Sequence, residues 1–159
     1  MGSGNQPPAH FPLGLDLNHI TPIPPDPDQT RYFAVGDLQI GLENRNLDLP
    51  SADGQFVDSG PSIHVEDRST GIEYLRFDMF DAEPHYHYMK TGSSNRLVVF
   101  DHAANGDMAS WTLRCLRYRL PEMLTEAGAE HLNANLDIEA LSKALNEITS
   151  ALECAVDQQ

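Results

Sequence analysis

Two histidines separated by one residue, His85 and His87, are the side chains whose type and spacing most directly suggest chemistry. Residues two apart on a β-strand project from the same face, so both imidazoles point the same way if this segment is a strand. Neutral imidazole is the commonest metal ligand in proteins, and two rings on one face can share an ion. The pair therefore predicts a patch on a sheet that binds a metal or a polar ligand.

A third histidine joins the pair if the following segment pairs as a hairpin. Closing Met89 on Arg96 across the polar loop between them places His102 diagonally beside His85, on the same face. This register predicts that His102 is part of the site. A slip of one residue would turn every side chain to the opposite face.

A carboxylate reaches the same face through the preceding hairpin. Closing Phe80 on His85 across a short turn sets Asp78 directly opposite His87. Three imidazoles and one carboxylate form a ligand set that suits a divalent zinc, iron, nickel or copper ion. The alternatives are a seam of ordinary strand residues, in which the imidazoles hydrogen-bond to backbone or to Asp78, and a polar pocket without metal.

The histidine pair resembles the metal-binding motif of the cupin family, in which His-x-His on one strand and a later histidine on another hold a metal inside a barrel. The resemblance is confined to His85, His87 and, as the later histidine, His102. No glutamate follows His87 at the family's short interval, and the glycine and proline residues that frame the second motif are missing around His102. The resemblance implies metal binding and does not extend to membership of that family.

A second group of candidates could bind an anion or another ligand. Arg114 and Arg117 share one face of a predicted helix, with Arg119 close by, and guanidinium groups suit carboxylates and phosphates. Tyr86 and Tyr88, which alternate with the two histidines, are further candidate ligand-binding residues. The alternative is that the arginines pair with nearby carboxylates and cover apolar surface with their stems.

The elements that must position these residues read as an α+β domain. Alternating apolar residues and turn signals predict strands at 37–43, 62–67, 72–80, 85–89 and 96–101. Helical patterns follow at 108–119 and 120–127, and the last helix is the clearest because its apolar residues keep a three-four spacing, at Ile138, Leu141, Leu145, Ile148, Leu152 and Ala155. We expect an antiparallel sheet of four to six strands packed by two C-terminal helices.

The first 30 residues differ in composition from the rest. Seven of the eleven prolines lie there, and each fixes its own backbone dihedral and lacks an N–H donor. These residues are predicted to form an extended arm, stiff at 21–28, that is either loose or a strap docked against the body or a partner, while residues 31–159 form the α+β domain.

Charge and composition exclude several classes of protein. The chain has 24 acidic and 10 basic residues, a net charge of −14, which disfavours binding to nucleic acid. No apolar run is long enough to span a bilayer, and two cysteines cannot build a disulfide framework, so a cytoplasmic protein is expected. The acidity suits a basic protein partner, and self-association is also expected.

The function predicted from these features is that of a small acidic binding or accessory protein. Its working surface would be the His-x-His patch together with the proline-rich arm, and the patch could bind one divalent transition metal or a small-molecule ligand. A metal-dependent enzyme that uses the three histidines and Asp78 is the alternative. An immunity- or antitoxin-like inhibitor is a third possibility, which the acidity alone permits.

Overall fold

The chain folds around one antiparallel sheet, whose strand order is β1-β7-β6-β5-β4-β3-β2. The structure is a computed structural model that describes residues 11–18, 21–51, 54–89 and 95–157. Within these residues the seven strands are β1 Asp16–Asn18, β2 Thr30–Val35, β3 Leu38–Ser51, β4 Gly54–Asp67, β5 Glu73–Asp78, β6 His85–Tyr88 and β7 Arg96–Val99.

The helices follow the last strand, and most of them have an aspartate as the N-cap residue. They are α1 His102–Asn105, α2 Met108–Tyr118, α3 Leu120–Glu126 and α4 Ile138–Val156, with 3-10 turns at Pro27–Gln29 and Glu130–Asn133. Asp107 and Asp137 cap α2 and α4, where their carboxylates accept backbone N–H groups that no carbonyl within the helix can pair. Within the described residues, no helix is long and apolar enough to cross a membrane.

One face of the sheet is apolar and packs against the helices. Alternation along the strands sends one set of side chains to this face, and α2, α3 and α4 supply the opposing apolar groups. The fully buried members include Ile40, Ile63, Leu75, Phe77, Leu116, Leu124, Leu145 and Ile148. This core holds the sheet rigid beneath the residues of the other face.

The opposite face carries buried polar residues, and we call it the polar face. The register aligns Ser62 with Asp78 and Asp78 with His85 across β4, β5 and β6. Two residues further along each strand, His64 aligns with Arg76, and Arg76 aligns with His87. All six side chains therefore project from the same side of the sheet, because cross-strand partners share a face.

Residues 21–26, which we call the strap, cross this polar face. The backbone carbonyl of Ile23 accepts hydrogen bonds from Arg76 Nη1 at 2.7 Å and from Arg45 Nη2 at 3.2 Å. The backbone N–H of Asp26 donates to Glu43 Oε1 at 3.3 Å. Strap carbonyls suit this role because a proline-rich extended backbone forms no internal hydrogen bonds, so its oxygens are available to buried cations.

The structure confirms an α+β fold with an antiparallel sheet and a C-terminal helix packed on it. The predicted count of four to six strands is too low, since seven are present among the described residues. The helical segments predicted at 108–119, at 120–127 and at the last helix correspond to α2, α3 and α4, and the short α1 is additional, so the expected total of two C-terminal helices is also too low. The strands at 62–67 and 72–80 do form a hairpin, with a turn at 68–72. Residues 44–51 and 54–61, where the sequence predicts no strand, belong to a long two-stranded ribbon, in which β3 and β4 pair along their whole lengths.

The proline-rich segment contributes to the sheet as well as covering it. β1 lies inside the predicted arm of residues 1–30 and pairs with β7 at the edge of the sheet, where a proline-rich stretch is tolerated. Residues 1–10 and 19–20 of that arm lie outside the described residues.

Candidate metal centre

Three side chains converge where β5 ends and β6 begins. The Nε2 atom of His85 lies 3.0 Å from Oδ2 of Asp78, and Nε2 of His87 lies 3.3 Å from the same oxygen. One potential ligand atom from each residue lies within 4.8 Å of the others. Two imidazole nitrogens and one carboxylate oxygen thus point at a common position.

The other nitrogen of each imidazole ring faces an oxygen atom. Nδ1 of His85 lies 2.7 Å from the backbone carbonyl of Glu83, and Nδ1 of His87 lies 3.2 Å from Oδ1 of Asn95. A carbonyl oxygen only accepts, so Nδ1 of His85 carries a proton and donates it. With this proton on Nδ1, a neutral ring directs the lone pair of Nε2 at Asp78, which is the tautomer that metal ligation requires, whereas a hydrogen bond from Nε2 to Asp78 requires the doubly protonated, cationic ring.

The turn before His85 is itself held in place by a buried carboxylate. Asp58 of β4 is 4% exposed, and its side chain accepts the backbone N–H groups of Ala82 at 3.0 Å and Glu83 at 2.9 Å. This pins the peptide whose carbonyl orients His85. Asp58 therefore acts on the cluster through the turn and lies outside the set of candidate ligands.

Asp78 is almost completely buried, with 1% of its surface exposed. Its Oδ1 accepts a hydrogen bond from the Ser62 hydroxyl at 2.6 Å and lies 3.9 Å from Nη1 of Arg45. Burial acts to raise the pKa of Asp78, but hydrogen bonds with His85 and His87 outweigh it and hold the pKa well below its ordinary value. Asp78 is therefore ionised, with Oδ1 already engaged and Oδ2 directed at the histidines.

His87 is the more deeply buried of the two histidines. Burial lowers the pKa of His87 below its ordinary value, although the hydrogen bond with Asp78 acts in the opposite direction. The neutral ring is therefore favoured at neutral pH, and a neutral imidazole is the form that binds a metal.

A cavity of about 160 Å³ adjoins the three side chains. Its walls include Asp78, His85 and His87 together with two cationic side chains, Arg45 and Arg76. The remaining wall contains Glu83 and Thr21 and is otherwise apolar, with Phe11, Pro22, Ile23, Leu47, Phe80, Pro84, Leu97 and Val99. The cluster thus lies at the wall of a concave space, which is the usual setting of a small-molecule site.

A second buried network borders the cluster on the polar face. His64 is fully buried, with Nε2 2.9 Å from Glu43 Oε2 and Nδ1 2.6 Å from Glu73 Oε2. Glu73 also accepts two hydrogen bonds from Arg76, at 2.6 and 2.9 Å. Burial acts to lower the pKa of His64, but the hydrogen bonds with Glu43 and Glu73 outweigh it and raise the pKa. His64 is therefore a buried cation between two anions.

Comparison with known proteins places the chain in a family. A family model described as a domain of unknown function (DUF7700) matches residues 32–152, which is more than half of the chain. The chain belongs to the DUF7700 family. The matched residues include the three converging side chains and the His64 network, and they begin after the strap. No curated protein and no solved structure matches the chain.

The register of the two hairpins explains which predicted ligands meet in this DUF7700 domain. The predicted register pairs His85 with Phe80, whereas in the structure His85 pairs with Asp78. This is a shift of two residues, which keeps the side chains on the same face of the sheet. Asp78, His85 and His87 therefore come together, although Asp78 faces His85 and not His87 as predicted.

His102 does not join them. The next hairpin is displaced by one residue from the predicted register, so that His85 pairs with Val99 instead of Phe100. The strand then ends, Asp101 caps α1, and His102 is the first, exposed residue of that helix. The prediction for His102 is wrong because the length of a loop does not determine the strand register to within one residue. A register shift of one residue turns every side chain of the strand to the opposite face of the sheet.

The predicted anion-binding residues lie away from the cluster. Arg114 and Arg117 are exposed on α2, where Arg117 donates to Ser142 and Asn146 of α4 at 3.3 Å. Tyr86 and Tyr88 project from the opposite face of β6 to the histidines, towards the helices. These four residues therefore do not line the cavity.

Sequence reasoning missed Ser62, Asn95, Arg45, Asp58 and the His64 network. A usable signal was present, because β3, β4 and β5 each alternate apolar residues with charged or polar ones in the same phase. The pattern predicts a solvated face in the absence of a cover. The strap supplies the cover, and its contacts with the sheet join residues that are far apart in the sequence.

Proposed function

We propose that this DUF7700 domain binds one divalent transition-metal ion through Asp78, His85 and His87, and that the ion serves to bind a small molecule in the adjoining cavity. The observation that carries the proposal is the orientation of the imidazoles. Each presents Nε2 to the same carboxylate oxygen, while each Nδ1 faces an oxygen acceptor. In metal sites the non-ligating nitrogen of a histidine almost always donates to a carbonyl, carboxylate or water in this way.

A cation between the three groups would resolve the electrostatics of the cluster. With Nδ1 of His85 protonated, a neutral ring directs a lone pair at an anionic oxygen 3.0 Å away, which is unfavourable unless a proton or a metal ion intervenes. Nε2 of His87 lies 3.3 Å from the same oxygen, so one metal ion between the three groups would satisfy both imidazoles and the carboxylate. Nitrogen and oxygen donors suit zinc, iron, nickel or copper.

The number of ligands supports an accessible ion. Structural zinc sites are closed by four protein ligands, whereas three protein ligands leave a position for water or another molecule. The three side chains of this cluster line a cavity, so the remaining position would face it.

Metal content after purification without chelators tests the proposal. We expect about one metal ion per chain in the wild type and a loss of most of it in the His85→Ala/His87→Ala double variant. His102→Ala is the matched control, because this histidine is exposed and outside the cluster. Cobalt loading gives a second readout, since its absorption spectrum reports the number and type of ligands.

Equal, sub-stoichiometric metal in all three proteins, with no cobalt spectrum in the wild type, would contradict the proposal. The three residues would then form a hydrogen-bonded polar cluster without metal, the alternative left open by the sequence.

A metal-dependent enzyme is the second candidate function, favoured by the three-ligand set beside a cavity. A catalytic ion of this kind lowers the pKa of its bound water to about 7. Titration of the cobalt spectrum between about pH 5 and pH 9 should then show a transition in this range. A spectrum that does not change with pH would leave ligand binding as the function.

The prediction of a protein partner or self-association remains a proposal based on the charge of −14. Light scattering and co-purification at low and high salt test it, because salt screening weakens attraction to a basic partner and reduces the repulsion between copies of this acidic chain. A strict monomer at both salt concentrations, with no co-purifying chain, would contradict it.

A further inference from the structure

Arg45 is a buried cation that the surrounding protein does not fully pair. Its side chain is 4% exposed, and its closest carboxylate contacts among the described residues are 3.7 Å to Glu43 and 3.9 Å to Asp78. Nη2 donates to two strap carbonyls at 3.2 Å, but the buried Nε has no hydrogen-bond partner within the part of the chain described. A buried donor left without a partner is costly, so Arg45 has capacity for an acceptor.

Arg76, the other arginine of the cavity wall, shows the contrast. Its Nε and Nη2 grip both oxygens of Glu73, at 2.9 and 2.6 Å, and its Nη1 donates to the carbonyl of Ile23. This is the two-pronged arrangement that suits a guanidinium and a carboxylate. Arg45 lines the same cavity without such a partner, which makes it the place where a ligand's carboxylate would fit.

The charge balance of the polar face points to the same class of ligand. Contacts of 4 Å or less join eight ionisable groups: Arg45, His64 and Arg76 are cationic, and Glu43, Glu73 and Asp78 are anionic. The other two are His85 and His87, which contact Asp78 and are neutral in the form that binds a metal. The set is neutral before a metal ion is added. A divalent ion on the cluster therefore leaves an excess of positive charge in a buried place, which an anionic ligand would offset.

The cavity limits the size and shape of that ligand. A volume of about 160 Å³ is close to that of the engineered cavity, about 150 Å³, that is known to bind benzene. Apart from the metal-site residues, the two arginines, Glu83 and Thr21, the wall is aliphatic and aromatic. The space suits a body of one ring or a short branched chain, with a single polar group directed at Arg45.

We infer that the cavity binds a small organic monocarboxylate, with its carboxylate between Arg45 and the metal position and its apolar body against the wall formed by the strap and β7. The inference rests on the proposed function because the same cavity carries both. The contribution of Arg45 can nevertheless be measured with or without metal.

Titration calorimetry with benzoate and its neutral analogue benzamide tests the inference. The two probes have nearly the same shape, so a difference in affinity reports the charge. Wild-type protein should bind benzoate at least about tenfold more tightly than benzamide. Arg45→Met should lose this preference while its affinity for benzamide stays unchanged. Arg119→Met, which removes an exposed arginine, is the matched control and should keep the preference.

Each outcome decides one of the two proposals. Equal binding of the two probes, no binding of either, or a preference for benzoate that survives in Arg45→Met overturns the inference. If Arg45→Met does not fold, Arg45→Lys keeps the charge without the two-pronged geometry and should reduce the preference for benzoate. The titrations are repeated on metal-loaded and chelator-treated protein. If the protein takes up no metal but prefers benzoate in an Arg45-dependent way, the ligand class is supported and the metal site is overturned. If the protein takes up metal but shows no preference for benzoate, the metal site is supported and the ligand class is overturned.

Discussion

Replacing His64 with leucine should destabilise the fold strongly, because it removes the cation between two buried carboxylates. His64 makes hydrogen bonds of 2.9 Å with Glu43 and 2.6 Å with Glu73 and is fully buried. Leucine is similar in volume and fills the space, so the main loss is electrostatic. Breaking a buried ion pair by removing one partner costs about 3–5 kcal/mol.

The remaining contacts place the expected cost near the lower end of that range. Glu73 keeps both of its hydrogen bonds from Arg76. Glu43 keeps a backbone N–H of the strap at 3.3 Å and Arg45 at 3.7 Å. We therefore expect a loss of about 3 kcal/mol, which for a domain of this size corresponds to a fall in Tm of about 6–12 °C.

The pH dependence separates this electrostatic explanation from a packing defect. The folded-state pKa of His64 is raised above its unfolded value, so its stabilisation is fully present below about pH 6.5 and is lost as pH rises through the folded pKa. The pKa values of Glu43 and Glu73 are lowered, so these groups do not titrate in this range. The gap in stability between wild type and His64→Leu should therefore narrow as the pH rises above about 6.5.

Urea unfolding followed by circular dichroism measures both effects. His131→Leu is the control, since the side chain of His131 is 58% exposed and lies 4.0 Å from Asp67, a surface pair worth less than about 1 kcal/mol. A cost below about 1 kcal/mol for His64→Leu, or a gap that is constant with pH, would refute a charged His64 in the network.

Further predictions concern the support of the cluster and of the sheet. Ser62→Ala removes the 2.6 Å hydrogen bond to Asp78 and should weaken metal affinity about 10–100-fold without changing the number of bound ions, as measured by competition with a chelating dye. Leu145→Ala, in the middle of α4 and fully buried, should cost about 2–5 kcal/mol in urea unfolding, whereas Ile138→Ala, at a residue 65% exposed, should cost less than about 1 kcal/mol. Gly36→Ala should lower Tm, because Gly36 has a φ of 58° in the β2–β3 turn and an added Cβ would lie 2.4 Å from a backbone oxygen of the loop before α4. Unchanged affinity, equal costs for the two α4 variants, or an unchanged Tm, respectively, would contradict these expectations.

Local patterns were enough to predict the pairing of Asp78, His85 and His87 on one face. The two-residue repeat of a strand fixes which side chains share a face, and that property survives an error of two residues in the register. It does not survive an error of one, which is why His102 was wrongly included. A polar loop has no alternation of its own and cannot set the register of the strands that it joins.

The supporting residues could not be predicted because they come from elements distant in sequence. Ser62 reaches Asp78 across a strand pair whose register a sequence leaves open, and Arg45 lies on a ribbon that reads as a loop. The ribbon contains Pro50 and Pro61, which argue against a central strand. Proline is tolerated there because the outer part of β3 and β4 forms a two-stranded ribbon, beyond the strands that flank them.

A variant of Asp58 can distinguish a residue that binds the metal from a residue that only positions a metal ligand. Its carboxylate accepts the N–H groups of Ala82 and Glu83, and the carbonyl of Glu83 in turn orients His85. Asp58→Asn keeps the size but supplies only one acceptor oxygen for the N–H groups of Ala82, Glu83 and the neighbouring Ser59, so the turn should loosen and His85 should lose its fixed orientation. We expect metal affinity to fall about 10–100-fold while the cobalt spectrum keeps its ligand signature, since all three ligands remain. Asp48→Asn, an equal change of charge at an exposed position on the same ribbon, should leave the affinity unchanged. Loss of the ligand signature in Asp58→Asn would mean that Asp58 itself binds the ion, and an affinity equal to wild type would mean that the turn does not position His85.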